Sequence, residues 1–198
     1  MTIPACGRIV AALLLAVPAL GQVPASRPVP VEIGKQVPAF EADLIELAGD
    51  SEKVHKFDSH KNGKVVAYII VGTRCPSTQA YAERMSKLAA TFAPKGVEVI
   101  YVYPNRDDPR EAKVAFHQSK RLGGRWIDDI NGRVARLLGA LRTTEVFITD
   151  TKGTLVYHGA IDDTRDDPNA VKQQYAAAAL DQVLTNKAIT TPASQVFA

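Results

Sequence analysis

Residues 64–85 read Lys64-Val65-Val66-Ala67-Tyr68-Ile69-Ile70-Val71-Gly72-Thr73-Arg74-Cys75-Pro76-Ser77-Thr78-Gln79-Ala80-Tyr81-Ala82-Glu83-Arg84-Met85. The apolar run 65–71 lies between Gly63 and Gly72, lacks alternation and is rich in β-branched residues. That pattern predicts a strand buried on both faces. The chain then turns through Gly72-Thr73-Arg74, and Pro76 stands where a helix would begin. Proline suits the first helical position, because the N–H it lacks would have no partner there. Cys75 is therefore the expected N-cap of a helix that leaves the end of a central strand.

Working outward, the helix from Pro76 runs to about Phe92. Ala80, Met85, Leu88, Ala89 and Phe92 form its apolar stripe, while Glu83, Arg84 and Lys87 face out. Pro94-Lys95-Gly96 ends it, and residues 97–103 form a second buried strand. Asp108 is a good N-cap before Pro109 for a helix to about Arg121. Residues 126–129 make a short extended piece, and Asn131 can cap a helix through Leu138. Residues 145–149 and 154–158 are strands around a turn at 150–153. Asp167-Pro168 starts a last helix to about Leu184. Upstream, residues 40–47 form a first strand, and the polar stretch 50–62 reads as loop with a possible helical turn. Strands alternating with helices, then a hairpin and a closing helix, indicate an α/β domain with a mixed central sheet and helices on both faces. In such sheets the site lies at the carboxyl ends of the strands, which is where Cys75 falls.

The 198 residues suffice for one domain with a real core, and 46% hydrophobic with 23% charged residues excludes wholesale disorder. A net charge of +3 without a Lys/Arg cluster gives no reason to expect nucleic acid. Arg8, the apolar run 9–20 and the small residues Ala19-Leu20-Gly21 resemble a signal peptide over residues 1–21, with a buried N-terminal helix as the alternative. The run is short for a bilayer span, so no stable membrane insertion is expected after its removal. Residues 22–32 are a Pro/Val-rich linker, 33–186 the domain, and 187–198 a tail without periodicity. The chain has two cysteines, Cys6 and Cys75. Cys6 precedes the apolar run and would leave with it, so the exported protein, periplasmic or extracellular, keeps a single thiol. A single thiol cannot form an intrachain disulfide.

The order of elements and the Cys75 turn resemble the thioredoxin-like superfamily, nearest its redoxin group, the AhpC/TSA (peroxiredoxin-like) proteins. The residues carrying this are Ile33-Gly34-Lys35-Gln36-Val37-Pro38-Ala39-Phe40, Gly72-Thr73-Arg74-Cys75-Pro76, Thr144-Glu145-Val146-Phe147-Ile148-Thr149-Asp150 with Gly153, and Tyr157-His158-Gly159-Ala160-Ile161-Asp162-Asp163. The resemblance spans about residues 33–186 and implies a thioredoxin-like fold and thiol-dependent oxidoreductase, antioxidant chemistry. The chain departs from the family pattern at identifiable places. Cys-x-x-Cys is here Cys75-Pro76-Ser77-Thr78. Thr144 stands where the family carries a cis-proline, and a cis bond before a non-proline residue costs about 3–4 kcal/mol. Gly72 and Tyr68 replace the peroxiredoxin Thr/Ser and Pro. The tail ends Val196-Phe197-Ala198, whereas some exported redoxins of this kind end in Phe-Gly-Cys.

These residues define the expected site: Cys75 as the reactive residue, supported by Thr73, Arg74, Pro76, Ser77, Thr78, Arg142, Thr143 and Thr144. A free thiol titrates near about 8.5, so reactivity requires a stabilised anion. The Ser77 and Thr78 amides and the helix dipole would supply that, with the Ser77 and Thr78 hydroxyls as further donors. Arg74 and Arg142, the latter from the facing loop, are the candidate cations. The alternative is an inert buried cysteine. With one thiol, two schemes stand: peroxide attack followed by resolution from outside, or mixed-disulfide exchange with an external thiol reductant or thiol protein. A non-catalytic protein-binding module is the rival from another class. No cofactor and no metal is expected. A copper site of the Sco type needs a second cysteine where Gln79 stands, leaving His158 without partners. His55, His60 and His117 lack ligand spacing and read as surface residues, Tyr101, Tyr103 and Trp126 as core or pocket lining, and the acidic residues of 162–167 as solvated.

Overall fold

A computed structural model of the chain describes residues 31–49 and 51–197. The expected signal peptide, Cys6 and most of the linker lie outside these residues. Seven strands form one mixed sheet: β1 (Glu41–Ala48), β2 (Ser51–Asp58), β3 (Val66–Ile70), β4 (Glu98–Tyr103), β5 (Arg125–Asp128), β6 (Val146–Thr149) and β7 (Leu155–Gly159), in the order β2-β1-β5-β4-β3-β6-β7. The β3–β4 and β4–β5 pairs are parallel, and the remaining pairs are antiparallel. Among the described residues four α-helices accompany it: α1 (Pro76–Phe92), α2 (Arg110–Lys120), α3 (Arg133–Leu138) and α4 (Tyr175–Leu184). No helix among the described residues is long and apolar enough to cross a membrane.

Every residue of β3 is buried, as its unbroken apolar run predicts. Its side chains alternate between two cores. Ala67 and Ile69 pack with Met85 and Leu88 of α1, Phe116 of α2 and Leu180 of α4. Val66, Tyr68 and Ile70 pack with Phe40, Phe57 and Leu138 of α3 on the other face. The sheet therefore has helices on both faces, and β3 supplies apolar surface to each.

The structure corrects several local expectations. The polar stretch expected as loop is strand β2, paired residue for residue with β1 from Glu41↔Asp58 to Ala48↔Ser51. Its polarity is that of an exposed edge strand, which carries charges because one side has no neighbour. The extended piece at Trp126 is the full strand β5, in parallel register with β4. The last helix begins at Tyr175, and Pro168–Ala170 forms only a short 3-10 turn capped by the Asp167 carboxylate. Helix α3 takes its cap from Asp129, whose buried carboxylate accepts from the Val134 and Ala135 amides at 3.0 and 2.9 Å, and Asn131 has no such role. In α1, Ala80 is exposed and Arg84 is half-buried.

The tail is a strap on the edge strand β7. His158 N–H donates to Pro192 C=O at 3.0 Å, and Ser194 Oγ meets the Tyr157 hydroxyl at 2.7 Å and accepts from Ala160 N–H at 2.9 Å. Gly159 permits this approach: a Cβ there would lie 2.3 Å from Ser194 Oγ.

His117 is 2% exposed, which overturns its reading as a surface residue. Its ring packs against Tyr101, Tyr103 and Trp126, 4.5 Å from the last. Burial penalises the charged ring more than contact with Leu122 favours it, so the imidazole is pushed down to about 4 and stays neutral in the folded protein. In the unfolded chain it titrates near about 6.5 and binds the proton more tightly. Stability from this residue is therefore complete above about pH 6.5 and falls as pH drops towards 4, by about 3 kcal/mol at pH 4. Denaturant unfolding of wild type and His117→Phe across pH 4–7 tests this: the variant should lose that share of the slope.

Candidate active site

The strand-to-helix turn places Cys75 at the carboxyl edge of the sheet. Val71 N–H still donates to Val102 C=O of β4, and Cys75 N–H closes the turn on Gly72 C=O at 3.1 Å. Cys75 is the N-cap of α1, with extended backbone (φ −74°, ψ 124°) and Pro76 at the first helical position. The sulfur is half-buried. Its shortest polar contact is the Thr143 hydroxyl at 3.0 Å. The Ser77 and Thr78 amides face it without closing a capping hydrogen bond. Burial alone would push the thiol up. The Thr143 hydroxyl, the Thr78 and Ser77 amides and the Thr78 hydroxyl together outweigh that and hold it below the ordinary thiol value. The anion is stabilised by neutral dipoles at a helix N-terminus.

The turn is bound from one side by the β4–α2 loop. Thr73 donates twice to buried Asp108, from its amide at 2.8 Å and its hydroxyl at 2.7 Å. Asp108 thus anchors the cysteine turn, while Pro109 takes the N-cap position of α2. Arg74 swings the same way, to the Asp107 carbonyl and to within 3.8 Å of Asp108. It is engaged with this loop and has no contact with the sulfur. A Cβ at Gly72 would stand 2.6 Å from Asn105 Nδ2, so a larger residue there would make the Asn105 side chain of this loop turn away. Thr78, fully buried, accepts from Gly72 N–H through its hydroxyl at 3.3 Å.

The second wall is the loop between α3 and β6. Thr144 N–H donates to Ile70 C=O at 2.6 Å, and Ile70 N–H donates to Glu145 C=O at 3.0 Å. This seam sets Thr143 against Cys75. No cis peptide occurs among the described residues, and Thr144 instead has φ +64°. That is a strained value for a β-branched residue. Arg142, expected as a cation for the sulfur, is exposed and has no hydrogen bond to it; the sulfur's partner is Thr143. His158 stacks on Phe147 at 4.3 Å, with Nε2 3.8 Å from the buried Glu145 carboxylate.

The third wall is the 160s loop, which sequence reasoning did not bring to the site. Arg84 reaches from α1 to Asp162 at 2.8 and 2.9 Å, takes the Thr164 and Arg165 carbonyls, and lies 4.0 Å over the Tyr81 ring. Asp162 is 2% exposed, so it is a buried partner, contrary to the reading of this acidic run as solvated. The loop so held brings Arg165, paired with Asp166 at 2.6 Å, within electrostatic reach of Cys75. Arg165 is the one basic residue in the run Asp162-Asp163-Thr164-Arg165-Asp166-Asp167, and that isolation was the available signal.

Removing the Thr143 hydroxyl should raise the Cys75 pKa. In Thr143→Val, the midpoint of iodoacetamide labelling against pH is expected above the wild-type midpoint, and an unmoved midpoint would deny the hydroxyl its role. Thr144→Pro should not restore a family-like loop. Proline cannot adopt φ +64°, and it removes the N–H that Ile70 C=O accepts, so a loss of about 2–3 kcal/mol in denaturant unfolding is expected.

With this geometry in hand, comparison with known proteins is informative. The model of the AhpC/TSA family matches residues 33–158. A curated relative, the thiol:disulfide interchange protein DsbE of Yersinia pestis, is 31% identical over 135 residues, 66% of this chain and 65% of that protein. The match thus spans less than two thirds of the relative's length. A crystal structure of a hypothetical protein from Sinorhizobium meliloti 1021 superposes with TM-score 0.70 at 25% identity, covering 84% of this chain and 92% of that one. A reduced 2-Cys peroxiredoxin from Plasmodium vivax gives TM-score 0.57 at 13% identity over 79% and 84% of the two chains. The fold is thioredoxin-like, with Cys75 at the sheet edge where the strand-to-helix turn leaves β3, and the chain belongs to the AhpC/TSA family.

Proposed function

We propose that this chain is an exported thiol-dependent oxidoreductase whose single reactive residue is Cys75, and that it exchanges disulfides with an outside thiol. The observation that carries this reading is the sulfur itself: half-buried at a helix N-terminus, 3.0 Å from the Thr143 hydroxyl and with a lowered pKa. A thiol meant only to fill space has no use for donors arranged around its anion. Cys75 is the only cysteine among the described residues, and once the segment bearing Cys6 is cleaved on export a disulfide formed here is shared with another molecule. The thiolate attacks one sulfur of a disulfide, the old S–S bond breaks, a thiolate leaves, and Cys75 is held in a mixed disulfide. A second outside thiolate then attacks that bond and releases Cys75.

The relative named as a thiol:disulfide interchange protein supports exchange over peroxide reduction. So does the absence of the peroxiredoxin Thr/Ser and Pro, replaced by Gly72 and Tyr68. Peroxide reduction is the second scheme: the thiolate attacks a peroxide oxygen, the O–O bond breaks and hydroxide or alkoxide leaves, Cys75 becomes sulfenic acid, and an outside thiol condenses with it to a mixed disulfide and water. The apolar run 9–20 behind Arg8 supports export.

Insulin reduction driven by dithiothreitol, compared between wild type and Cys75→Ser, tests the activity. Loss of the protein-dependent rate in the variant is expected. Equal rates would sink the reading and favour a non-catalytic binding module. Dimedone labelling of Cys75 at modest peroxide separates the schemes, with an adduct only under peroxide reduction.

A further inference from the structure

The third wall of the site also borders an open cleft of about 470 Å³, within the size range of small-molecule sites. Arg142 and Arg165 stand on it with Asp163 and Asp166, and Val196 and Phe197 of the tail line it. The strap on β7 fixes that apolar wall through Ser194. Cys75 is outside this lining and linked to it twice: Arg142 is the chain neighbour of Thr143, which touches the sulfur, and Arg165 feels the charge of the thiolate, more weakly than that of Asp166.

The charges of the cleft are not equally occupied. Asp163 accepts from Lys172 N–H at 3.0 Å, and Asp166 is taken by Arg165. Arg142 makes neither a hydrogen bond nor an ion pair with the described residues. The free charge on the cleft is thus the Arg142 guanidinium, whose planar fork matches a carboxylate in bidentate fashion.

We infer that the cleft holds the outside thiol compound, a small peptide thiol or its disulfide, with a carboxylate on Arg142, its sulfur at Cys75 and its apolar part against Phe197. This inference rests on the exchange reading above. In the step concerned, the Cys75 thiolate attacks one sulfur of R–S–S–R, the S–S bond of that compound breaks, its other half leaves as R–S⁻, and Cys75–S–S–R remains seated in the cleft. Attack on that mixed disulfide by a second thiolate restores Cys75.

The test measures mixed-disulfide formation on the full chain by intact mass, with oxidised glutathione as the carboxylate-bearing disulfide and bis(2-hydroxyethyl) disulfide as the neutral one. The ratio of the two rates cancels any change in thiolate fraction. Arg142→Gln should lower the ratio about five- to tenfold, Arg142→Lys should recover part of it, and added salt should reduce the wild-type ratio. Adducts from both disulfides with a ratio unmoved by Arg142→Gln overturn the carboxylate site alone. Adducts from neither overturn the exchange reading and this inference with it.

Discussion

The site depends on one seam, the end of β3 where Ile70 bonds both ways to the loop before β6. Its carbonyl accepts from Thr144 and its amide donates to Glu145. Those two hydrogen bonds hold the α3–β6 loop against the Cys75 turn at a spacing that lets Thr143 meet the sulfur. Thr144 is strained at positive φ to make the first of them. A strained residue persists when the surrounding packing over-determines it, and β3, buried on both faces between two cores, supplies that packing.

Around the seam, polar groups far apart in the chain each restrain one wall. Asp108 ties down the cysteine turn through Thr73, and Arg84 ties down the 160s loop through Asp162. Both carboxylates are buried and hydrogen-bonded, which makes each costly to leave without its partner. The result is a thiol stabilised mainly by dipoles and hydroxyls, with Arg165 as a more distant charge. Among the described residues Cys75 is the one cysteine, and the family's dithiol turn reads Cys75-Pro76-Ser77-Thr78 in this chain.

Much of the scaffold was legible in local pattern. The buried run before Gly72, the Cys75-Pro76 helix start and the second apolar run at β4 are unambiguous, because doubly buried strands and proline-led helices leave strong sequence marks. Strand β2 was not legible, since an edge strand needs only one apolar residue, Phe57, facing the core and is otherwise polar. His117 misled for a related reason: a single polar residue at a core position resembles a surface residue until its aromatic neighbours arrive from β4 and β5. Arg74 misled because proximity in sequence says nothing of direction, and its guanidinium follows Asp107 and Asp108 away from the sulfur.

The sequence by itself determined the thioredoxin-like order of elements, Cys75 as the cap of α1, and the lack of a second cysteine in the turn. Each is written in adjacent residues, through burial pattern, proline placement and residue count. Only the tertiary structure decided what surrounds the sulfur. Thr143 lies 68 positions from Cys75, and Arg165 is brought near it by an Arg84–Asp162 pair that is itself 78 positions apart. No local pattern encodes such contacts, because they exist only once the sheet has set β3 beside β6 and packing on α1 has fixed the loop after β7.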